Sequence, residues 1–139
     1  MLTTVDTSAM SIAMRRRSAG TAREQLVQDE VSRLASAGDL LLPGAVRQEL
    51  LTGFRDPGRY REVRGLMRAF PDVPPGIADY ERAAEMANAC RRSGIQGSPT
   101  DFLVCSMAEA TRSVILTLDG DFAKFAQYIP IRLHPLSRT

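Results

Sequence analysis

SVILTLDGDF, residues 113–122, sets an apolar β-branched run, Val114-Ile115-Leu116, ahead of Thr117 and Leu118 and then of two carboxylates, Asp119 and Asp121, with Gly120 between them. The pattern predicts a buried strand that ends in an acidic turn. An open parallel sheet gathers its chemistry at the carboxyl ends of its strands. The reading of the chain therefore turns on whether other acids reach that same edge.

Upstream, Leu2 to Val5 predicts a first strand that stops at Asp6-Thr7-Ser8. A helix follows from Ala9 to Arg17, with Met10 and Met14 four apart and the basic run Arg15-Arg16-Arg17 at its end. Thr21 with Glu24 forms a capping-box pattern, and Val27, Val31 and Leu34 give the helix behind it a buried stripe up to Gly38. Leu40 to Leu42 is a second strand. Pro43 opens another helix with Val46 and Leu50 facing inward and Gly53 as its stop.

Tyr60, Val63, Leu66, Met67 and Phe70 recur at helical spacing before Pro71, and Asp72-Val73 between prolines predicts a weak edge strand. A long helix then carries Ile77, Tyr80, Ala84, Ala87 and Cys90 on one face. Ser98-Pro99-Thr100-Asp101 starts the next helix, whose body from Phe102 to Ala110 is apolar nearly all round and so belongs in the interior. After the central stretch come a short helix from Phe122 to Gln127 and a last strand from Ile131 to Leu133. Strands alternate with helices throughout, which predicts a parallel sheet with right-handed crossovers.

The chain has 139 residues, 44% hydrophobic and 24% charged, the size and mix of one globular domain spanning 1–139. Its apolar runs are too short to span a bilayer and MLTTVDTS has no signal-peptide pattern, so the expected setting is cytoplasmic, away from membranes. Cys90, Cys105 and the single His134 lack metal-ligand spacing, which argues against zinc and for reduced core cysteines. Lys124 is the only lysine among 18 basic residues. That arginine excess suits phosphate contacts, with Arg15, Arg16, Arg17, Arg91 and Arg92 as the candidates, and equally suits a GC-rich genome. A basic run is in any case more often a solvated helix end than a phosphate contact.

Each acid has a structural reading of its own. Asp6 suits an N-cap. Asp101 completes a capping pattern worth about 1 kcal/mol or less, and Asp119 suits the cap of the last helix. Glu49 lies roughly 60° from Val46 at about 100° per residue, at the margin of the core face. Together the balance changes, because the crossovers bring Asp6 and Asp119 to one sheet edge, where Glu49 and Asp101 flank or start helices. Converging carboxylates repel unless a cation offsets their charge. All-oxygen ligands select hard ions such as Mg²⁺ or Mn²⁺, which activate water and neutralise a phosphodiester's leaving oxygen. Ser8 and Thr117, at the ends of the acid-bearing strands, are supporting hydroxyls that orient Asp6 or a bound water, or else close turns.

Four motifs in order, VDTS (5–8), PGAVRQELLTG (43–53), GSPTDFLVCSMA (97–108) and ILTLDGDF (115–122), resemble those of PIN-domain ribonucleases, and within them the VapC-type toxins of bacterial toxin–antitoxin pairs. The resemblance covers nearly the whole chain. It implies a three-layer α/β/α sandwich around a parallel sheet of four to five strands, and a Mg²⁺- or Mn²⁺-dependent endoribonuclease that cleaves structured or translation-related RNA. It further implies Asp6, Glu49, Asp101 and Asp119 as the metal-binding and catalytic acids, Asp121 as an assisting one, a homodimer, and a cognate antitoxin whose tail enters the acidic pocket.

The alternative is a catalytically silent PIN-like module that binds RNA or protein. A phosphoryl-accepting receiver domain would need paired acids after the first strand and a lysine after the last, whereas Asp6 stands alone and Lys124 sits in a predicted helix. Neither GxGxxG nor GxxxxGK[ST] occurs, which disfavours the dinucleotide-binding and P-loop folds.

Overall fold

The computed structural model describes residues 1–15 and 20–138. The four strands among the described residues are β1 (Thr3–Val5), β2 (Leu40–Pro43), β3 (Asp72–Val73) and β4 (Val114–Leu116), with β2 and β4 the apolar runs and β1 led by two threonines. They pair in the order β3-β2-β1-β4, every pair parallel. All residues of β1 and β4 are buried, as strands covered on both faces must be. Helices flank the sheet to give the expected three-layer α/β/α arrangement. The register of the central pair sets Val5 against Leu116, so the residues that leave the sheet next are Asp6 and Thr117.

The helices are α1 (Thr7–Ala13), α2 (Ala22–Ala37), α3 (Gly44–Thr52), α4 (Pro57–Met67), α5 (Ile77–Arg92), α6 (Pro99–Thr111) and α7 (Asp121–Phe125). Side chains at their N-termini account for several boundaries. Thr21 and Glu24 form the expected capping box on α2, Asp56 accepts from Gly58 N and Arg59 N ahead of Pro57, and Ser98 with Asp101 closes a capping box on α6. α6 is the internal helix: Phe102 through Ala108 are all buried, and the helix touches β1, β4 and α3 while α5 packs along its other side. Arg82 of α5 and Glu109 of α6 lock that pair through two hydrogen bonds of 2.8 and 3.0 Å.

Three expectations are corrected. α1 ends at Ala13 with Met14 as its C-cap, so Arg15 lies beyond the helix, while Arg16 and Arg17 fall outside the described residues. The face of α5 turned to the core is Ala83, Met86 and Cys90, leaving Ile77 80% and Tyr80 56% exposed. Ala83 and Ala84 differ by about 100° around a helix, and two apolar stripes so close together are not ranked by periodicity. The surface of α6 chooses between them. The expected strand from Ile131 to Leu133 shrinks to one parallel bridge, Leu133 with Ile115, because Pro130 and Pro135 bracket it and a proline has no N–H to extend a ladder.

Phe102 of α6 and Phe122 and Phe125 of α7 pack ring against ring, tilted for Phe102–Phe125 with centroids 4.8 Å apart and edge-to-face for Phe122–Phe125 at 5.2 Å. Gly97 passes so close that an added Cβ would stand 2.5 Å from Phe125 Cζ and 3.0 Å from Phe102 Cε2. Gly97→Ala should therefore lower unfolding stability by about 1–3 kcal/mol, the usual cost of overpacking. Denaturant unfolding of native and variant chains reads this directly, and equal midpoints would contradict the packing described.

Candidate acidic site

Asp6 follows β1 directly and caps α1 by accepting from Ala9 N at 3.0 Å. Both carboxylate oxygens are engaged. Ser8 Oγ donates to them at 2.8 and 3.0 Å, and Thr117 Oγ1 donates to Oδ2 at 2.6 Å across the β1–β4 boundary. The carboxylate is only 4% exposed, and no basic side chain pairs with it among the described residues. Burial raises its pKa above the ordinary value of 3.8, the hydrogen bonds from Thr117, Ala9 and Ser8 oppose that, and the charge of Asp119 adds to it.

Thr117 and Ser8 also fix the turn after β4. Thr117 Oγ1 accepts from Asp119 N at 2.9 Å, and Ser8 Oγ accepts from Leu118 N at 2.9 Å. Asp119 Oδ1 then accepts from Asp121 N at 2.9 Å, which closes a local turn; the N-cap of α7 is Gly120, without a side-chain cap, rather than Asp119 as the sequence suggested. Asp121 opens α7 and its carboxylate pairs with Lys124 at 3.5 Å. It is Asp119 whose charge bears on Asp6.

Asp101 sits at the third position of α6. Its Oδ2 accepts from Ser98 N at 3.0 Å while its own N donates to Ser98 Oγ at 3.1 Å. Its pKa too is raised, first by burial, and then by Asp119 and Glu49 against the lowering by Ser98. Glu49, on α3, is exposed and its carboxylate has no hydrogen bond or ion pair among the described residues. Electrostatic repulsion thus links Asp6 to Asp119, Asp119 to Asp101, and Asp101 to Glu49. Burial pushes the Cys105 thiol well up, with further raising by Asp101 and Asp6, so this buried, unpaired cysteine stays protonated beneath the acids.

The fit to a hard cation rests on this donor set: oxygen ligands only, and repulsion among Asp6, Asp101, Asp119 and Glu49 that no arginine or lysine among the described residues offsets. Asp101 Oδ1 and Asp119 Oδ2 are left without hydrogen bonds among the described residues, free to serve as ligands. As the side chains stand, no group of three His, Cys, Asp or Glu among the described residues is arranged to hold one metal ion. The acids are neighbours in one field whose carboxylates are not yet turned onto a common point.

The remaining candidates spread over the surface. Arg15 is exposed and pairs with Glu24 at 3.3 Å, Arg91 is exposed and donates to Asn88 Oδ1 at 3.1 Å, and Arg92 is exposed at the end of α5. Beside Asp101 a groove of about 600 Å³ opens between α5 and α6, bordered by Tyr80, Ala84, Ala87, Arg91 and Gly97. The contact that sequence reasoning missed is Ser137, which accepts from Thr117 N at 2.9 Å. Twenty residues separate the two, and no motif marks the pair.

The family model of the PIN domain matches residues 3–128. None of the curated protein sequences matches the chain. Among solved structures, VapBC2 from Rickettsia felis, bound to a DNA fragment from its promoter, superposes with TM-score 0.77 at 14% identity, covering 96% of this chain and 98% of the other. DNA-bound VapBC from Salmonella typhimurium gives 0.75 at 16% identity over 96% and 98%. VapC20 from Mycobacterium tuberculosis, a toxin that cleaves the sarcin–ricin loop, gives 0.64 at 19% over 94% and 98%. At these identities the likeness to the solved structures is one of fold.

A group whose folded pKa is raised binds more protons in the folded than in the unfolded chain, so its contribution to stability falls as pH rises from the unfolded value through the folded one. Asp6→Asn should remove that loss. Without divalent cations, the stability of Asp6→Asn relative to the native chain should increase as pH rises from below 3.8 to neutrality. Denaturant unfolding at acid and neutral pH measures the difference, and a pH-independent gap would contradict the burial and repulsion ascribed to Asp6.

Proposed function

Because the chain belongs to the PIN-domain family, we propose that it is a metal-dependent endoribonuclease, a single domain over 1–139 that acts as the VapC-type toxin of a toxin–antitoxin pair. The observation that carries this reading is the Asp6 carboxylate, buried, raised in pKa and held by Ser8 and Thr117 with no cationic partner among the described residues, with Asp119, Asp101 and Glu49 in the same field.

Asp6, Asp101 and Asp119 are the residues that would hold Mg²⁺ or Mn²⁺, with Glu49 completing the set and Asp121 assisting. A bound divalent cation would supply a hydroxide near neutral pH and neutralise the leaving oxygen of the phosphodiester. The protein's part is to keep Asp6 ionised and oriented through Ser8 and Thr117. Asp101 and Asp119 are held at the ends of α6 and β4, and the exposed Glu49 stands at the mouth of the site where it can meet the substrate side or a water. Arg15, Arg16, Arg17, Arg91 and Arg92 are the proposed RNA contacts.

The partners follow from the same reading. The solved neighbours named above include toxin–antitoxin complexes, which supports a cognate antitoxin here, acting in the cytoplasm. The exposed Ile77 and Tyr80 on α5 give a homodimer an apolar surface to bury. No helix among the described residues is long and apolar enough to cross a membrane. One observation favours a second reading: with no three groups among the described residues arranged to hold a metal ion, a silent PIN-like module would bind RNA or protein without cutting.

RNA cleavage separates the two. The native chain should cut RNA with Mg²⁺ or Mn²⁺ and stop when the cation is chelated. Asp6→Asn and Asp101→Asn should each lose about 100-fold or more, since even outer-shell changes at metal sites cost about 10–100-fold. Equal cleavage by native and variant chains would sink the site, and no cleavage by any of them with intact RNA binding would establish the silent module. Binding itself should weaken steeply as salt rises, through counterion release, and a salt-independent affinity would remove the arginines from the interface. Expressed without a partner, the native chain should arrest growth and Asp6→Asn should not; normal growth with folded native protein would count against the toxin assignment.

A further inference from the structure

The last residues of the chain turn back to the acidic site. Leu133 makes the parallel bridge to Ile115, Ile115 N donates to Arg132 O at 2.8 Å, and His134 N donates to Ile115 O at 2.8 Å. There the pairing stops and the chain coils into a 3-10 turn over Pro135–Arg138, closed by Ser137 N donating to His134 O at 2.8 Å. The buried His134 fastens this turn. Its Nδ1 accepts from Leu136 N at 3.1 Å, which leaves the ring proton on Nε2 to be donated to Glu30 Oε2 of α2 at 2.7 Å.

What the turn delivers is one hydroxyl. Ser137 Oγ donates to Ile115 O at 3.0 Å and accepts from Thr117 N at 2.9 Å. It therefore takes over, one residue past the end of β4, the pairing that a longer fifth strand would have provided. Thr117 is only 1% exposed, so in the native chain its N–H relies on that hydroxyl for a partner. The same residue places its own Oγ1 2.6 Å from Asp6 Oδ2 and 2.9 Å from Asp119 N. A shift of a few tenths of an ångström in the Thr117 backbone would reach both.

We propose that Ser137 is a positioning residue of the acidic site, fixing the Thr117 backbone and, through the Thr117 hydroxyl, the Asp6 carboxylate and the turn that bears Asp119. Its effect on rate rests on the nuclease reading above; its effect on the order of the site rests on hydrogen bonding alone. Ser137 is too far along this chain of contacts to touch the reacting atoms itself.

The test compares Ser137→Ala, Ser137→Thr, Thr117→Val and the double variant Ser137→Ala with Thr117→Val. In Ser137→Ala the amides of Thr117, Leu118 and Asp119 should all exchange with solvent about 10-fold faster or more, because local opening there becomes easier. RNA cleavage should lose about 10-fold in kcat with KM within about twofold, the scale of an outer-shell change. Ser137→Thr, which keeps the hydroxyl, should recover most of both. In the Thr117→Val background, adding Ser137→Ala should change the rate by less than about twofold, since residues that act in series are not additive.

Faster exchange at Thr117 alone, or the same loss from Ser137→Ala in both backgrounds, would overturn the proposal and leave Ser137 as a tail contact only. Should Ser137→Ala melt far below the native chain, Ser137→Cys, which keeps the volume but accepts weakly, is read by the same criteria. If the native chain cuts no RNA, the nuclease reading falls, and amide exchange in the variants still decides whether Ser137 orders the site.

Discussion

The parallel pairing of β1 with β4 is the constraint on which the site depends. Its register sets Val5 against Leu116 and so releases Asp6 and Thr117 from the sheet side by side, close enough for a 2.6 Å hydrogen bond. A slip of one residue would turn every side chain of the strand to the other face of the sheet, carrying Asp6 away from Thr117 and Ser8. The buried apolar residues of both strands resist that slip, so core packing and site geometry are enforced by the same contacts.

Around that pairing, capping and function occupy the same atoms. Asp6 caps α1, Asp101 completes the box on α6, and Asp119 closes the turn into α7. A cap, or a turn bond like that of Asp119, fixes one carboxylate oxygen on a backbone N–H and thereby aims the other. Asp101 Oδ1 and Asp119 Oδ2 are aimed in this way, whereas Asp6 has both oxygens engaged and the deepest burial of the three. Helix capping offsets part of the cost of keeping charges here, but desolvation still dominates for Asp6 and Asp101. A site that raises its own carboxylates, with no arginine or lysine among the described residues set against Asp6 or Asp101, is one that gains from a hard cation.

The alternation of apolar runs and capped helices made the parallel sheet and the internal α6 legible from sequence, because each depends on local pattern: an apolar helix must be internal, and strands that alternate with helices must run parallel. Ser8 lies two residues past Asp6 and Thr117 one past β4, close enough along the chain for local pattern to suggest the contacts both make with Asp6. Elsewhere local pattern was insufficient. The core face of α5 was misread because two apolar stripes overlap on that helix and α6 selects between them. Ile131 to Leu133 looked like a strand but lies between prolines and pairs at one residue. Ser137 gave no signal, since its partners, Ile115 and Thr117, lie some twenty positions away and a lone serine near a chain end has no pattern to match.

The most direct measurement is the anomalous scattering of Mn²⁺ in crystals of the native chain. The four-acid account predicts a peak within coordinating distance of Asp119, with Asp6 and Asp101 turned onto it and Glu49 at its edge, lost in Asp6→Asn crystals. No peak at saturating Mn²⁺, or one away from Asp6, Asp101 and Asp119, would contradict it.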